Sequence, residues 1–333
     1  MDDLIRNGVE WIIAIQSLGG WLKVPMQFFT FLGHENFFFL VLPLIYWSVD
    51  AGLGLRVAFI LSTSNYLNAI VKVMFAAPRP YWVSPGVEPF SAESTFGIPS
   101  GHAQNSAAIW GTMAAGANSR WAWVTALAFT FLIGFSRLYL GMHFVQDVVL
   151  GWLMGLAILF LFLRFWDPVV GWLKRKILAQ QLMVAFVTSL LMIAVGVLSR
   201  APLSAYVFPA EWTANALRAG PVPEPVSIEG IFTSAGSLFG LAAGAAWIAS
   251  RGGYEAYGQV DKRALRYVIG LMGIMVLWFG LGQVFPRGET VIPLILRYIR
   301  YSLVGLWIIA GAPWLFFHFK LADQPKMQGT RLL

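Results

Sequence analysis

The 333-residue chain is 58% hydrophobic and only 12% charged, with a mean hydropathy of +0.68. A water-soluble protein of that length needs far more charge to cover its surface, so the composition makes the lipid bilayer the main solvent. The formal charge of +7 does not point to nucleic acid, because the basic residues sit in short loops between apolar runs, and the absence of cysteine excludes disulfides, thiolate metal ligands and a thiol nucleophile.

The segment from about 5 to 33 is apolar but broken by Gly19, Gly20, Lys23 and Pro25, which leaves an interfacial helix and a further crossing both open. Met1 to Arg6 carry no basic n-region and no small-residue cleavage site follows, so insertion is expected to use the spans themselves. Runs near the length needed to cross a bilayer follow at about 36 to 50, 52 to 76, 100 to 118, 121 to 139, 144 to 166, 181 to 199, 229 to 250, 267 to 285 and 299 to 319. The expected fold is therefore all-α, a polytopic transmembrane helix bundle. Tyr46, Trp47, Trp121, Trp123 and Trp152 collect where these runs end, as in an interfacial belt.

Two long connections, 77 to 99 and 200 to 228, are too rich in proline for a continuous helix. A composition shift near Asp167 and Pro168, followed by Lys174, Arg175 and Lys176, divides the chain into 1 to 166 and 167 to 333. Taking the loops alternately places 13 Lys and Arg on one side, among them Arg56, Lys174, Arg266, Lys326 and Arg331, against 8 on the other. The richer side is expected to be cytoplasmic and the other to face outward from the cell membrane.

Polar residues near lipid are costly, so each needs a reason. Lys72 is followed after six residues by Arg79 and Pro80, with Asn65, Asn68, Lys72 and Arg79 at helical spacings and Pro78 ending the helix before Arg79. Pro99, Ser100, Gly101 and His102 stand at the start of a span, where unpaired backbone N–H groups make a ready anion site. Ser136 and Arg137 precede His143 by a five-residue gap, and Asp147 follows at i+4, so its carboxylate can reach the imidazole and fix the tautomer. All three clusters fall at span ends on the same, outward side. His34 and His318 are read as peripheral.

The clusters K-x6-R-P, P-S-G-H and S-R-x5-H-x3-D resemble the signature of the PAP2 superfamily of phosphatases, with every fixed position filled between about residues 36 and 166. The resemblance implies a PAP2-type helical core in 1 to 166, leaving 167 to 333 as additional transmembrane helices without an assigned role. It implies that His143 is the nucleophile and forms a phosphohistidine, that Asp147 holds its other ring nitrogen, and that His102 protonates the leaving oxygen and later activates water. Lys72, Arg79, Arg137, Ser100 and the Gly101 amide would grip the phosphoryl oxygens. Phosphoryl transfer relies on positioning and charge stabilisation, which three cations and a helix N-terminus can supply. No cluster of carboxylates suits a hard divalent metal, so neither metal nor other cofactor is expected.

A site at the outer membrane rim suits a substrate with its phosphate in water and its tail in lipid. The expectation is a hydrolase of a lipid phosphate or polyprenyl pyrophosphate. A lipid phosphotransferase and a lipid transporter or flippase with a PAP2-like core are the alternatives; the intact charged set argues against the second.

Overall fold

The computed structural model describes residues 3–323; the reading of Lys326 and Arg331 as cytoplasmic charges, and of Met1 and Asp2 as lacking a leader, falls outside the described residues. Among the described residues every regular element is helical and there is no strand. The helices are α1 (Asp3–Gln16), α2 (Lys23–Phe31), α3 (Glu35–Ser48), α4 (Ala51–Phe75), α5 (Pro80–Val83), α6 (Gly101–Ala117), α7 (Arg120–Tyr139) and α8 (Val145–Lys174). They continue with α9 (Leu178–Leu198), α10 (Ala210–Ala216), α11 (Glu229–Ala249), α12 (Val260–Met275), α13 (Leu281–Val284), α14 (Val291–Leu306) and α15 (Ala312–His318). Short π-helical turns at Val276–Gly280 and Trp307–Gly311 join α12 to α13 and α14 to α15.

Each of the nine predicted spans falls on a helix. Seven helical stretches are long and apolar enough to cross a bilayer, and Gly20–Phe31 with Glu35–Ser48 passes the same test together as one broken span. Their outer faces are apolar where a soluble protein would be polar: Leu153, Leu156, Phe160 and Leu161 on α8 are exposed. With 17 residues, α6 is shorter than the others, and most of its Ala, Gly, Ser and Gln side chains are buried. It is an inner helix wrapped by protein rather than a lipid-facing one.

The chain packs as two compact units that interleave along the sequence. The first holds residues up to Phe37, Leu67–Phe160 and Leu198–Ser227; the second holds Phe38–Tyr66, Leu161–Val197 and everything from Ile228 onward. The connection at 198–227 therefore belongs with the catalytic motifs, although it lies in the second half of the sequence.

In the first unit α1 spans only 14 residues, about 21 Å at the helical rise and too short for a roughly 30 Å hydrocarbon layer. It buries Val9 and Ile12 and exposes Trp11 and Ile13. Gln16 clamps its C-terminal end, donating to the carbonyls of Glu88 (2.8 Å) and Tyr139 (3.1 Å) and accepting from the Glu88 amide (3.1 Å). Within 5 to 33, α1 is an amphipathic helix, and Gly20–Phe31 belongs to the stretch that passes the crossing test together with Glu35–Ser48. The connections at 77–99 and 198–227 pack on each other: Trp82 is fully buried against Phe96, Phe208 and Trp212, and Asn215 donates to the Trp82 carbonyl at 3.0 Å.

The first turns of α8 are held against the start of α6 by two glycines. A Cβ on Gly151 would stand 2.6 Å from the Ser100 carbonyl oxygen, and one on Gly155 would stand 2.3 Å from that of Gln104. No side chain fits without moving backbone. Gly155→Val is thus expected to destabilise the purified protein by roughly 1–3 kcal/mol, the usual range for overpacking, read as a lowered melting temperature in detergent.

The second unit uses its π-turns to bind side chains, since i→i+5 bonding leaves carbonyls to be satisfied by other donors. Tyr46 donates its hydroxyl to Ile309 at 2.9 Å and Trp47 its indole N–H to Ile308 at 2.8 Å. Arg266, 1% exposed, donates to the carbonyls of Ala256, Tyr257 and Leu321, and so ties the chain after α11 and the chain after α15 to α12.

Candidate active site

His143 lies in the short link between α7 and α8, two residues past a bend at Gly141, whose φ of +74 places it in the left-handed region. Its ring stands between an acid and a base. Nδ1 faces Asp147 Oδ2 at 3.2 Å, and Nε2 faces Arg79 Nη1 at 3.2 Å. Because a guanidinium only donates, Nε2 must carry the lone pair and Nδ1 the proton, which it gives to Asp147. The other anchor of Asp147 is the Phe144 amide, which donates to the same Oδ2 at 3.0 Å. Both side chains are almost wholly buried.

Burial first, then the charges of Arg79, Lys72 and Arg137, hold the His143 imidazole well below its ordinary titration range. Folding therefore favours the neutral ring, whose Nε2 lone pair accepts from Arg79.

Arg79 is not on the helix that carries Lys72. That helix stops at Phe75, and Arg79 is extended (φ −97, ψ 157) as the residue before α5, with Pro80 at the first helical position. The apparent helical spacing from Lys72 to Arg79 thus does not describe the local backbone, because Pro78 and Pro80 break it. What holds Arg79 is its own hydrogen bonding: Nε to Thr95 O (2.7 Å), Nη1 to Met142 O (3.0 Å), and Nη2 to Phe96 O (3.0 Å) and Thr95 Oγ1 (3.2 Å). Lys72 Nζ donates to the same Phe96 carbonyl oxygen, so the two cations sit side by side.

Arg137 arrives from the last turn of α7. Its Nη1 donates to Thr30 Oγ1 at 2.7 Å and its Nη2 to Glu93 Oε1, while Nε is buried without a hydrogen-bond partner among the described residues. Glu93 also stands 3.8 Å from Arg79 Nη2. Burial works to raise its pKa, but Arg79 and Arg137, with His102 and Lys72 behind them, overcome it and hold the carboxyl far below the usual range.

Ser100 caps α6, its Oγ accepting from the Ala103 amide at 3.4 Å, and its own N–H goes to the Asp147 carbonyl at 2.9 Å. Only its hydroxyl proton is left to offer an anion. Asn68 steadies this corner by donating to Pro99 O (3.3 Å) and Gln104 Oε1 (2.9 Å), and a Cβ on Gly101 would come 3.1 Å from Asn68 Oδ1. Gly97 is equally confined: a Cβ there would meet Pro78 O at 2.6 Å and Asp147 Oδ2 at 3.2 Å. His102, in the first turn of α6, is in the field of Arg137 and Glu93, and its Nε2 is buried with no hydrogen-bond partner among the described residues.

Of the eight residues named from sequence, hydrogen bonds and shared acceptors link Lys72, Arg79, Ser100, His143 and Asp147 directly, and Arg137 joins them through Glu93. His102 and Gly101 open the helix that Ser100 caps. Four further residues enter: Glu93, Thr30, Thr95 and His34, the last with its ring centroid 5.7 Å from that of His102. Glu93 is one of two carboxylates, with Glu88, in the proline-rich connection at 77–99, and this was the one available signal. Among the described residues no group of three or more His, Asp or Glu side chains is placed to hold a metal ion.

Fold and site together define a polytopic helical membrane protein in which Lys72, Arg79 and Arg137 gather near His143. The model of the PAP2 superfamily matches residues 53–170, and that of the PAP2 superfamily phosphatase transmembrane extension matches 232–324. Phosphatidylglycerophosphatase B of Bacillus subtilis (strain 168) is 32% identical over 158 residues, covering 42% of this chain and 73% of that one. Glucose-6-phosphatase 3 of Bos taurus is 26% identical over 99% of this chain and 100% of its own length, and sphingosine-1-phosphate phosphatase 2 of Homo sapiens 32% identical over 42% and 37%. A crystal structure of a PAP2 type phosphatidylglycerolphosphate phosphatase from Bacillus subtilis aligns with a TM-score of 0.43, 26% identity, and coverage of 50% of this chain and 89% of that one. The chain belongs to the PAP2 superfamily and is a membrane phosphatase of that type.

Proposed function

We propose that the protein hydrolyses a lipid phosphate or polyprenyl pyrophosphate at the extracytoplasmic face of the cell membrane, through a phosphohistidine on His143 and without a metal ion. The observation that carries this reading is the orientation of His143, with Nδ1–H on Asp147 and the Nε2 lone pair turned toward Arg79. Nε2 attacks phosphorus in line as the bond to the leaving oxygen breaks, and His102 gives that oxygen a proton. The negative charge of a bound phosphate favours the imidazolium form of His102 that this needs. Water then attacks the phosphohistidine, His102 takes its proton, the N–P bond breaks and inorganic phosphate leaves. Lys72, Arg79 and Arg137 balance the charge on the phosphoryl oxygens throughout.

Two observations support the lipid class. The motif residues lie at the ends of apolar spans, where a headgroup and its tail can be held at different depths. Relatives named for phosphatidylglycerophosphate and sphingosine-1-phosphate are each 32% identical over 42% of this chain. The loop charge asymmetry supports the outward orientation.

A second reading, a soluble sugar phosphate, is favoured by one observation: the likeness to glucose-6-phosphatase 3 covers 99% of this chain, against 42% for phosphatidylglycerophosphatase B. One assay separates the two. Phosphate release should be measured from phosphatidylglycerophosphate, sphingosine 1-phosphate, undecaprenyl pyrophosphate and glucose 6-phosphate, with and without chelator. Release from a lipid, undiminished by chelator, is expected. Release from glucose 6-phosphate alone would move the assignment to the second reading, and loss of activity in chelator would contradict the metal-free chemistry.

A further inference from the structure

Three cations and two carboxylates meet in the site: Lys72, Arg79 and Arg137 against Asp147 and Glu93. Asp147 is committed to His143 and the Phe144 amide. Glu93 is not committed to the chemistry. Its carboxylate is hydrogen-bonded to Arg137 and stands 3.8 Å from Arg79 Nη2, so it faces the charge of two side chains that a phosphoryl group would otherwise face. A carboxylate on two guanidinium groups presents the same planar pair of oxygens that a phosphate would.

A bound phosphate and the Glu93 carboxylate compete for the same side of Arg137 and Arg79. A phosphate dianion brought in beside Glu93 would place like charges together in a buried space, which outward rotation of Glu93 relieves. The backbone around Glu93 is built to stay while the side chain turns. The buried Tyr81 hydroxyl accepts from the Glu93 amide at 3.1 Å and donates to its carbonyl at 3.3 Å, and the side chain itself is 26% exposed.

We propose that Glu93 is a resident anion that fills the phosphate position on Arg79 and Arg137 and is displaced by substrate, so that it sets the site's affinity and its preference for dianions. This rests on the phosphatase reading above. A monoanionic diester gains nothing by exchanging with a monoanionic carboxylate on the same two arginines, whereas a phosphomonoester dianion does. Glu93 therefore weakens phosphate binding but keeps the two guanidinium groups compensated, and it limits inhibition by the product.

The test uses the full-length protein in detergent and inorganic phosphate as the probe. Glu93→Gln should lower Ki for phosphate and KM for substrate, each by about tenfold or more, with kcat unchanged or reduced because product leaves more slowly. Glu93→Asp keeps the charge but is one methylene too short to bridge both arginines, and its Ki should fall between wild type and Glu93→Gln; if either variant is not recovered folded, the other decides. Wild-type inhibition by phosphate together with an unchanged or raised Ki in the folded variants would overturn this proposal alone, and would mean that Glu93 is a fixed brace for the arginines. A wild type that neither releases nor is inhibited by phosphate would overturn the phosphatase reading as well.

Discussion

His143→Ala is expected to remove phosphate release entirely, a loss of at least about 10^4-fold, as for other nucleophiles that act as one unit with their partners. The ring is the only group that the structure places between Asp147 and Arg79, and no neighbour carries a free lone pair in the same position. Folding should survive, because Asp147 keeps the Phe144 amide and Arg79 keeps its bonds to Thr95, Phe96 and Met142. The variant should elute from size exclusion as the wild type does and still retard phosphate-like anions. Residual turnover within tenfold of wild type would remove His143 from the mechanism.

Asp147→Asn tests the charge of the carboxylate with almost no change in shape. Because the Phe144 amide and Nδ1 face one and the same oxygen, an Asn oxygen in that place can still accept from both, and what the exchange removes is the negative charge that stabilises the ring as positive charge develops on it during attack. By analogy with the same exchange in serine protease triads, kcat should fall by about 10^3 to 10^4-fold, while KM changes little. A fall of less than tenfold would show that the charge of Asp147 does not assist the attack.

Much of the helical layout can be read from the sequence, since a bilayer allows few alternatives: each uninterrupted apolar run became a helix. The motif residues were legible for a related reason. A buried Lys, Arg, His or Asp beside lipid needs a partner, and His143 with Asp147 lies at a spacing that only one helix turn can close. The supporting residues were hidden because they are set by loop conformation. Nothing local says that Thr95 and Phe96 fold back onto Arg79, or that Thr30 on α2 meets Arg137 more than one hundred residues away. Glu93 reads as an ordinary loop acid until its two arginine partners are seen.

The amphipathic role of α1 was undecidable from composition, because Gly19, Gly20 and Pro25 break an interfacial helix and a short crossing alike. What the sequence does not show is its 14-residue length and the Gln16 clamp on Glu88 and Tyr139. The placement of 198–227 with the first unit was equally out of reach. It depends on the aromatic packing of Phe208 and Trp212 on Trp82, and ring contacts across more than one hundred residues leave no periodic trace.

A covalent phosphate on one named nitrogen is the event from which every assigned role follows. Labelled lipid phosphate should be mixed with the protein, quenched in alkali within the first turnover, and the peptide containing residue 143 analysed by mass spectrometry. An acid-labile, base-stable phosphate on the His143 ring, missing from His143→Ala, is the predicted result. Full turnover with no such adduct, or with label on a different side chain, would contradict the account.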